Sequence, residues 1–219
     1  MGRGDSMRAK AHIQYKLKDG TRVPGVTTVL GILNKPALVK WANNLGLQGI
    51  DSSKYVDDKA AIGTLAHQMI ADHLRKVDTD ASDYSAKQID QAENSVLSYL
   101  EWEKGHDVKP VLIEEPLVSE IYKYGGTIDC LAKIDGKPTL LDFKTGKAIY
   151  PEMFYQLAAY SELLLEDGHI LDASMILRIG RDATEGFEVV KRDSLIKELE
   201  MFDHCLAIYN LQKEIKKNE

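Results

Sequence analysis

Apolar residues follow helical spacing up to about residue 104 and strand spacing from Val108 onward. In the first regime, a stretch beginning at Ser52 or Ser53 and running to about Val77 carries His67, Ile70, Ala71 and Leu74 on one stripe. Gly63 lies one turn earlier, so the pattern predicts a long helix whose inward face can approach its neighbours closely. Thr27 or Thr28 is placed to cap a short helix ending at Leu33. Pro36 opens a second over residues 37–45, stopped by Gly46, and Ser85-Ala86-Lys87-Gln88 forms a capping box for a helix to about Lys104. Ahead of these, residues 12–17 and 21–23 flank Asp19-Gly20 as a short hairpin.

In the second regime, residues 110–119, 125–134 and 138–144 read as an antiparallel meander, with Asp135-Gly136 as a hairpin turn. Pro151 starts a helix through about Glu166, and residues 173–178 and 187–190 form two further strands. Asp193 caps a closing helix to about Lys216, with Leu195, Leu199, Phe202, Leu206 and Tyr209 on one face. Helices, three strands, a helix, two strands and a helix predict an α/β fold: a mixed central sheet flanked by helices, with an N-terminal helical subregion.

The chain of 219 residues, 44% hydrophobic, is long enough for one domain with a substantial core. We expect a single domain over 8–219, with 8–107 as the hairpin and helical subregion and 108–219 as the sheet with its flanking helices. Met1-Gly2-Arg3-Gly4-Asp5-Ser6-Met7 contains an Arg-Gly-Asp-Ser string; a vector-derived leader over 1–7 accounts for it better than a cell-adhesion ligand. A net charge of −6 argues against a generally basic, nucleic-acid-coating protein but leaves room for a local basic groove. Cys130 and Cys205 fit neither a metal-ligand spacing nor a disulfide framework, and a cytoplasmic setting is expected. No apolar run nears the roughly 18 residues of a membrane span, so no membrane partner is expected.

The chemistry concentrates in Gly125-Gly126-Thr127-Ile128-Asp129 and Asp142-Phe143-Lys144-Thr145-Gly146. Alternation puts Asp142 and Lys144 on one face of their strand and Phe143 on the other. Asp129 and Asp142, on strands joined by a tight turn, converge at one end of the sheet. Two such carboxylates suit a Mg²⁺ or Mn²⁺ ion, and a neighbouring lysine suits a phosphate or an attacking water. Each residue also has a plainer role: strand-ending aspartates, a surface lysine, and, for His67, a satisfied core histidine. Near a carboxylate pair His67 becomes a candidate ligand. One of Glu114 and Glu115 faces inward, and alternation does not decide which, because Leu112, Ile113, Leu117 and Val118 occupy both faces. Gln156 and Tyr160, one turn apart on the helix after Lys144, stay near the site. Arg178 and Arg181 could contact phosphates, and Trp41, Tyr55 and Trp102 could stack on bases or serve as core aromatics.

Taken in order, Gly63-Thr64-Leu65-Ala66-His67, Glu115, Gly126-Thr127-Ile128-Asp129, Asp142-Phe143-Lys144-Thr145-Gly146 and Gln156-Leu157-Ala158-Ala159-Tyr160 resemble the PD-(D/E)xK nuclease superfamily, in the arrangement of RecB-type and phage-encoded exonucleases. Ile128 stands where the name-giving proline would be. The resemblance implies a restriction-endonuclease-like sheet and a metal-dependent DNA exonuclease of phage or recombination and repair type. It implies Asp129, Asp142, the Phe143 carbonyl and His67 as metal ligands, with one ion or two about 4 Å apart. Glu115 would ligate the metal or orient water, and Lys144 would activate that water or steady the phosphate. Gln156 and Tyr160 would support the site and the DNA strand; Thr145, Arg178 and Arg181 are further candidate substrate contacts. A recombination or single-strand-binding partner is implied as well. The iron–sulfur cluster of some relatives needs four cysteines, and this chain has two. A structure-specific or restriction-type endonuclease and an inactive nucleic-acid-binding module remain alternatives.

Overall fold

The computed structural model describes residues 13–33 and 35–217. The expected leader over 1–7 and the start of the hairpin at His12 lie outside the described residues. Among the described residues, six helices and five strands follow one another as α1 Val26–Leu30, α2 Pro36–Leu47, α3 Ser52–Arg75, α4 Ala86–Glu103, β1 Val108–Val118, β2 Gly125–Ile134, β3 Lys137–Lys144, α5 Pro151–Glu166, β4 Ala173–Ile179, β5 Phe187–Arg192 and α6 Ile196–Lys217.

Local signals set most of these boundaries, and the differences from expectation have identifiable causes. The hairpin reduces to a single Lys16–Arg22 bridge closed by Gly20 at φ +86°. Helix α1 starts at Val26 from an uncapped Gly25, so Thr27 and Thr28 lie inside it; burial of Val26 and Val29 in the core extends it backward. Helix α2 runs through Gly46, and the chain turns at Gly49, where φ is +73°. Asp51, rather than Ser52 or Ser53, caps α3, its carboxylate accepting from the N–H groups of Ser53 and Lys54. The Ser85–Gln88 capping box forms as the sequence indicates. Asp193 pairs with Lys191 instead of capping α6, which begins at Ile196.

The sheet order is β1-β2-β3-β4-β5, antiparallel except for the β3–β4 pair, whose parallel register requires the crossover through α5. The mixed sheet is covered on both faces. Leu131, Leu140 and Ile176 pack with α1, α5 and α6 around Leu157, Leu163, Phe202 and Leu206. Cys130, Leu141, Phe143 and Leu177 pack with Ile70 and Leu74 of α3 and Tyr99 of α4. The adjacent apolar pairs Leu140-Leu141 and Ile176-Leu177 thus serve opposite layers, as expected of strands buried on both sides.

That regularity ends beside the acidic residues. The β2–β3 ladder stops at Cys130–Leu141, just short of Asp129 and Asp142. Ile128 and Cys130, two residues apart, pack in opposite layers, so alternation slips at Asp129. On β1 the register shifts between Pro110 and Leu112, and Glu114 adopts φ +52°. Left-handed backbone costs a non-glycine residue roughly 1 kcal/mol and collects at functional positions.

Helix α5 reaches this end of the sheet because Gly126 has no side chain: a Cβ there would lie 2.5 Å from Tyr160 Cε1. We expect Gly126→Ala to lower stability by roughly 1–3 kcal/mol in urea denaturation, the range for overpacking a filled core. An unchanged midpoint would mean that α5 is free to shift.

Candidate metal and phosphate site

The site straddles the sheet where its strands part. Helix α3 supplies His67 from one layer, and α5 supplies Gln156 and Tyr160 from the other. Asp129 Oδ2 accepts a hydrogen bond of 2.7 Å from the Phe143 N–H, just beyond the last ladder pair. Its Oδ1 lies 3.5 Å from His67 Nδ1. The Phe143 ring is sealed in the core edge-on to Tyr99 and His67, with centroids 5.4 and 6.0 Å apart. Gly63 lets the α3 turn approach: a Cβ there would meet Thr145 Oγ1 at 2.8 Å.

Asp142 is 1% exposed, and neither of its carboxylate oxygens accepts a well-formed hydrogen bond. Lys144 Nζ lies 2.8 Å from Asp142 Oδ2 and donates to Gln156 Oε1 at 3.1 Å. Gln156 Nε2 in turn donates to the Tyr160 hydroxyl at 2.7 Å. A buried carboxylate lacking hydrogen bonds is costly, and one counter-ion held off-angle compensates only in part.

The electrostatics follow from that arrangement. Burial, only partly offset by Lys144 and aggravated by Asp129, pushes the Asp142 carboxyl up to about 6. Burial also works against ionised Asp129, but His67 and Lys144 outweigh it and hold that carboxyl below its usual value. Burial would lower His67; Asp129 prevails and raises it. Burial would lower Lys144 too, yet Asp142 and Asp129 raise it, so it remains an ammonium.

Glu114 joins the cluster and Glu115 does not. Ligand atoms of His67, Glu114 and Asp129 lie within 4.8 Å of one another, whereas Glu115 is exposed. The expectation for Glu115 is therefore moved one residue back. The slipped register and left-handed backbone turn Glu114 level with Asp129, which simple alternation could not reveal. His67 lies beside Asp129, Lys144 beside Asp142 and Gln156, and Gln156 beside Tyr160; Phe143 reaches Asp129 through its N–H, Asp142 lies outside the three-residue ligand cluster, and Thr145 borders the same cleft.

The two arginines are otherwise employed. Arg178 is buried; its Nε bonds Glu188 Oε2 at 3.0 Å, and its Nη1 donates to the carbonyls of Gly146, Glu185 and Gly186. Arg181 makes a two-point ion pair with Glu185 through Nε at 2.9 Å and Nη2 at 2.5 Å. Both clamp the 180–186 loop rather than presenting free cations, although Arg181 borders the cleft. Trp102 stacks on His106 in the α4–β1 corner, whereas Trp41 and Tyr55 line the cleft itself. That cleft, of about 580 Å³, meets a second of about 630 Å³ at Glu114 and Thr127.

No family model matches the chain, and no curated protein matches it. Among solved structures it is similar to LHK-Exo in complex with dAMP, at 15% identity over 73% of this chain and 88% of that one, with a TM-score of 0.38. The alkaline exonuclease LHK-Exo from Laribacter hongkongensis gives 14% identity, 72% and 86% coverage and 0.37. SSO0001 gives 11%, 66% and 71%, and 0.31. Likeness at this level carries no residue-by-residue correspondence, so the roles considered below come from geometry and sequence pattern. No helix of the described residues is long and apolar enough to cross a membrane.

Between pH 3.8, the ordinary carboxyl value, and about 6, the folded chain holds a proton on Asp142 that the unfolded chain releases. This contribution to stability is present at low pH and lost as pH rises through about 6. In chelator, Asp142→Asn should therefore be more stable than the parent at pH 8, by about 1–2 kcal/mol, with the gap closing toward pH 5. A gap independent of pH in denaturant titrations would show that the Asp142 charge is not the cause.

Proposed function

We propose that the protein is a divalent-metal-dependent nuclease that hydrolyses phosphodiester bonds in DNA, acting on free ends. One observation carries the reading: the hydrogen-bond-starved Asp142 carboxylate, 1% exposed, at the same strand ends as the His67, Glu114 and Asp129 cluster and beside a protonated lysine. The donor set fits a hard cation. Three carboxylates and one imidazole suit Mg²⁺ or Mn²⁺, and Asp142 is the kind of orphaned buried acceptor that a cation satisfies. Glu114, Asp129 and His67, whose ligand atoms lie within 4.8 Å of one another, would hold the ion, with Asp142 beside them. Such an ion supplies Lewis-acid stabilisation of phosphoryl charge and makes water a better nucleophile near neutral pH.

The chain's own residues account for the rest. His67 and the Phe143 N–H fix the Asp129 carboxylate from two sides. Gln156, anchored by the Tyr160 hydroxyl, steadies Lys144 against a side chain's ordinary freedom. Being an ammonium, Lys144 contributes positive charge and hydrogen-bond donation to developing oxyanion charge, rather than accepting a proton. The resemblance to PD-(D/E)xK exonucleases supports DNA and free ends, a Mg²⁺- or Mn²⁺-type ion, and a phage or recombination setting. The two clefts meeting at Glu114 favour a second reading among the described residues: a groove open on both sides could also accept internal positions, as an endonuclease would require.

Incubating end-labelled linear and closed circular DNA with Mg²⁺, Mn²⁺ or EDTA tests both. We expect metal-dependent loss of linear DNA, reduced at least about 100-fold by Lys144→Ala. Glu114→Gln should be similarly impaired and Glu115→Gln near normal. Nicked circles would move the assignment to an endonuclease. Full activity in Lys144→Ala, or in EDTA, would remove the proposed site from catalysis.

A further inference from the structure

We infer that the α2–α3 wall of the cleft is a nucleobase-stacking subsite, in which Trp41 and Tyr55 seat an unpaired base flanking the phosphate held at the acidic cluster; the inference rests on the nuclease reading above. Helix α2 is hard to explain by packing alone. None of its residues is buried, and Leu38, Val39 and Leu47 are each more than half exposed. It meets α3 through the Trp41 and Tyr55 rings, edge to face with centroids 5.8 Å apart, and both residues are 37% exposed. Amphipathic surface helices normally bury an apolar stripe, and this one turns its tryptophan to a cleft.

The occupant follows from charge and continuity. Although the chain carries a net charge of −6, residues 20–50 contain no Asp or Glu; of their cations, Arg22 lines the neighbouring cleft, while Lys35 is paired with Glu152. Lys59 Nζ stands 5.8 Å from the Tyr55 ring centroid on the same wall. The cleft lining thus combines two kinds of group: Glu114, Asp129 and His67, and the Trp41 and Tyr55 rings with Lys59 beside them. A nucleotide has matching parts, an anionic phosphate that requires the cation and a flat base that suits the rings. Bases inside a duplex have both faces covered by their neighbours, so this wall selects an unpaired strand, in any sequence, because every base offers a π face. The neighbouring cleft, sharing Glu114 and Thr127, gives the strand room to continue past the acidic cluster.

The test is binding of the full chain to three fluorescent oligomers in Ca²⁺, with their integrity checked on a gel: a mixed-sequence single strand, the matching blunt duplex, and a single strand of abasic residues. The parent should bind the base-bearing strand about 5- to 100-fold tighter than the abasic one. Trp41→Ala should lose that advantage, Trp41→Phe should keep most of it, and neither should change affinity for the abasic strand. Metal-induced thermal stabilisation should persist in both variants, since no residue of α2 is buried in the core. Equal weakening on base-bearing and abasic strands would make Trp41 a wall support and overturn the proposal, as would a duplex bound as tightly as the single strand and indifferent to Trp41→Ala. If the parent binds metal but none of the oligomers, the nucleic-acid reading falls and the subsite with it.

Discussion

Burying a carboxylate without hydrogen bonds is among the costlier things a fold can do, and at Asp142 this chain does it at the centre of its sheet. The position is set by apolar neighbours: Leu140 and Leu141 occupy opposite layers, Phe143 is sealed against Tyr99, and β3 is paired on both sides up to this point. The strand cannot rotate the carboxylate into water without exposing that core. What surrounds Asp142 reads as compensation. Lys144 approaches it, Gln156 and Tyr160 hold Lys144, and Asp129 is turned away to the Phe143 N–H and His67. Compensation remains incomplete, which is why the acid is weakened to about 6 while Asp129 shifts the other way. Two neighbouring carboxylates driven apart in acidity suit the proposed chemistry, at some expense of stability.

The opening of the sheet is the second requirement. A continuous antiparallel ladder would direct Asp129 and Asp142 by strict alternation and leave α3 and α5 separated by the sheet. Here the β2–β3 ladder ends, the side chains of β2 switch layers around Asp129, and Glu114 on β1 takes left-handed backbone. These three irregularities let a histidine from one layer and a lysine–glutamine pair from the other reach the same carboxylates. Two glycines make the approach possible, Gly63 toward Thr145 and Gly126 toward Tyr160. The buried Arg178, bound to carbonyls of both the 146 turn and the 185–186 loop, ties the end of β3 to that loop, so Lys144 projects from a braced segment.

Much of this was legible in the sequence, for a definite reason. The order of the elements followed from capping residues, turn dipeptides and apolar spacing, all local. The pairing of Asp142 with Lys144 followed from alternation in β3, which is regular up to its end. Legibility failed where local rules are broken. Alternation along the bulged strand β1 left Glu114 and Glu115 undecided, and Glu115 came from the family resemblance alone. Arg178 and Arg181 looked like phosphate ligands because nothing in a sequence shows that Glu185, Glu188 and three carbonyls will claim them first. Trp41 could not be told from a core residue, since α2 carries the composition of a buried helix and buries nothing.

The employment of those arginines has a consequence for binding. With Arg178 and Arg181 neutralised by neighbours and Lys144 paired with Asp142, the cleft floor presents carboxylates to any approaching strand. A polyanion would meet repulsion there unless a cation intervenes, and Lys59 stands over the Tyr55 ring of the aromatic wall. In the proposed reaction, metal and strand therefore bind as partners: each reduces the electrostatic cost of the other, and by linkage the enhancement is equal in both directions. Net charge, which argued only against a generally basic, nucleic-acid-coating protein, then fits the proposed site, whose affinity for nucleic acid would be conditional on the ion.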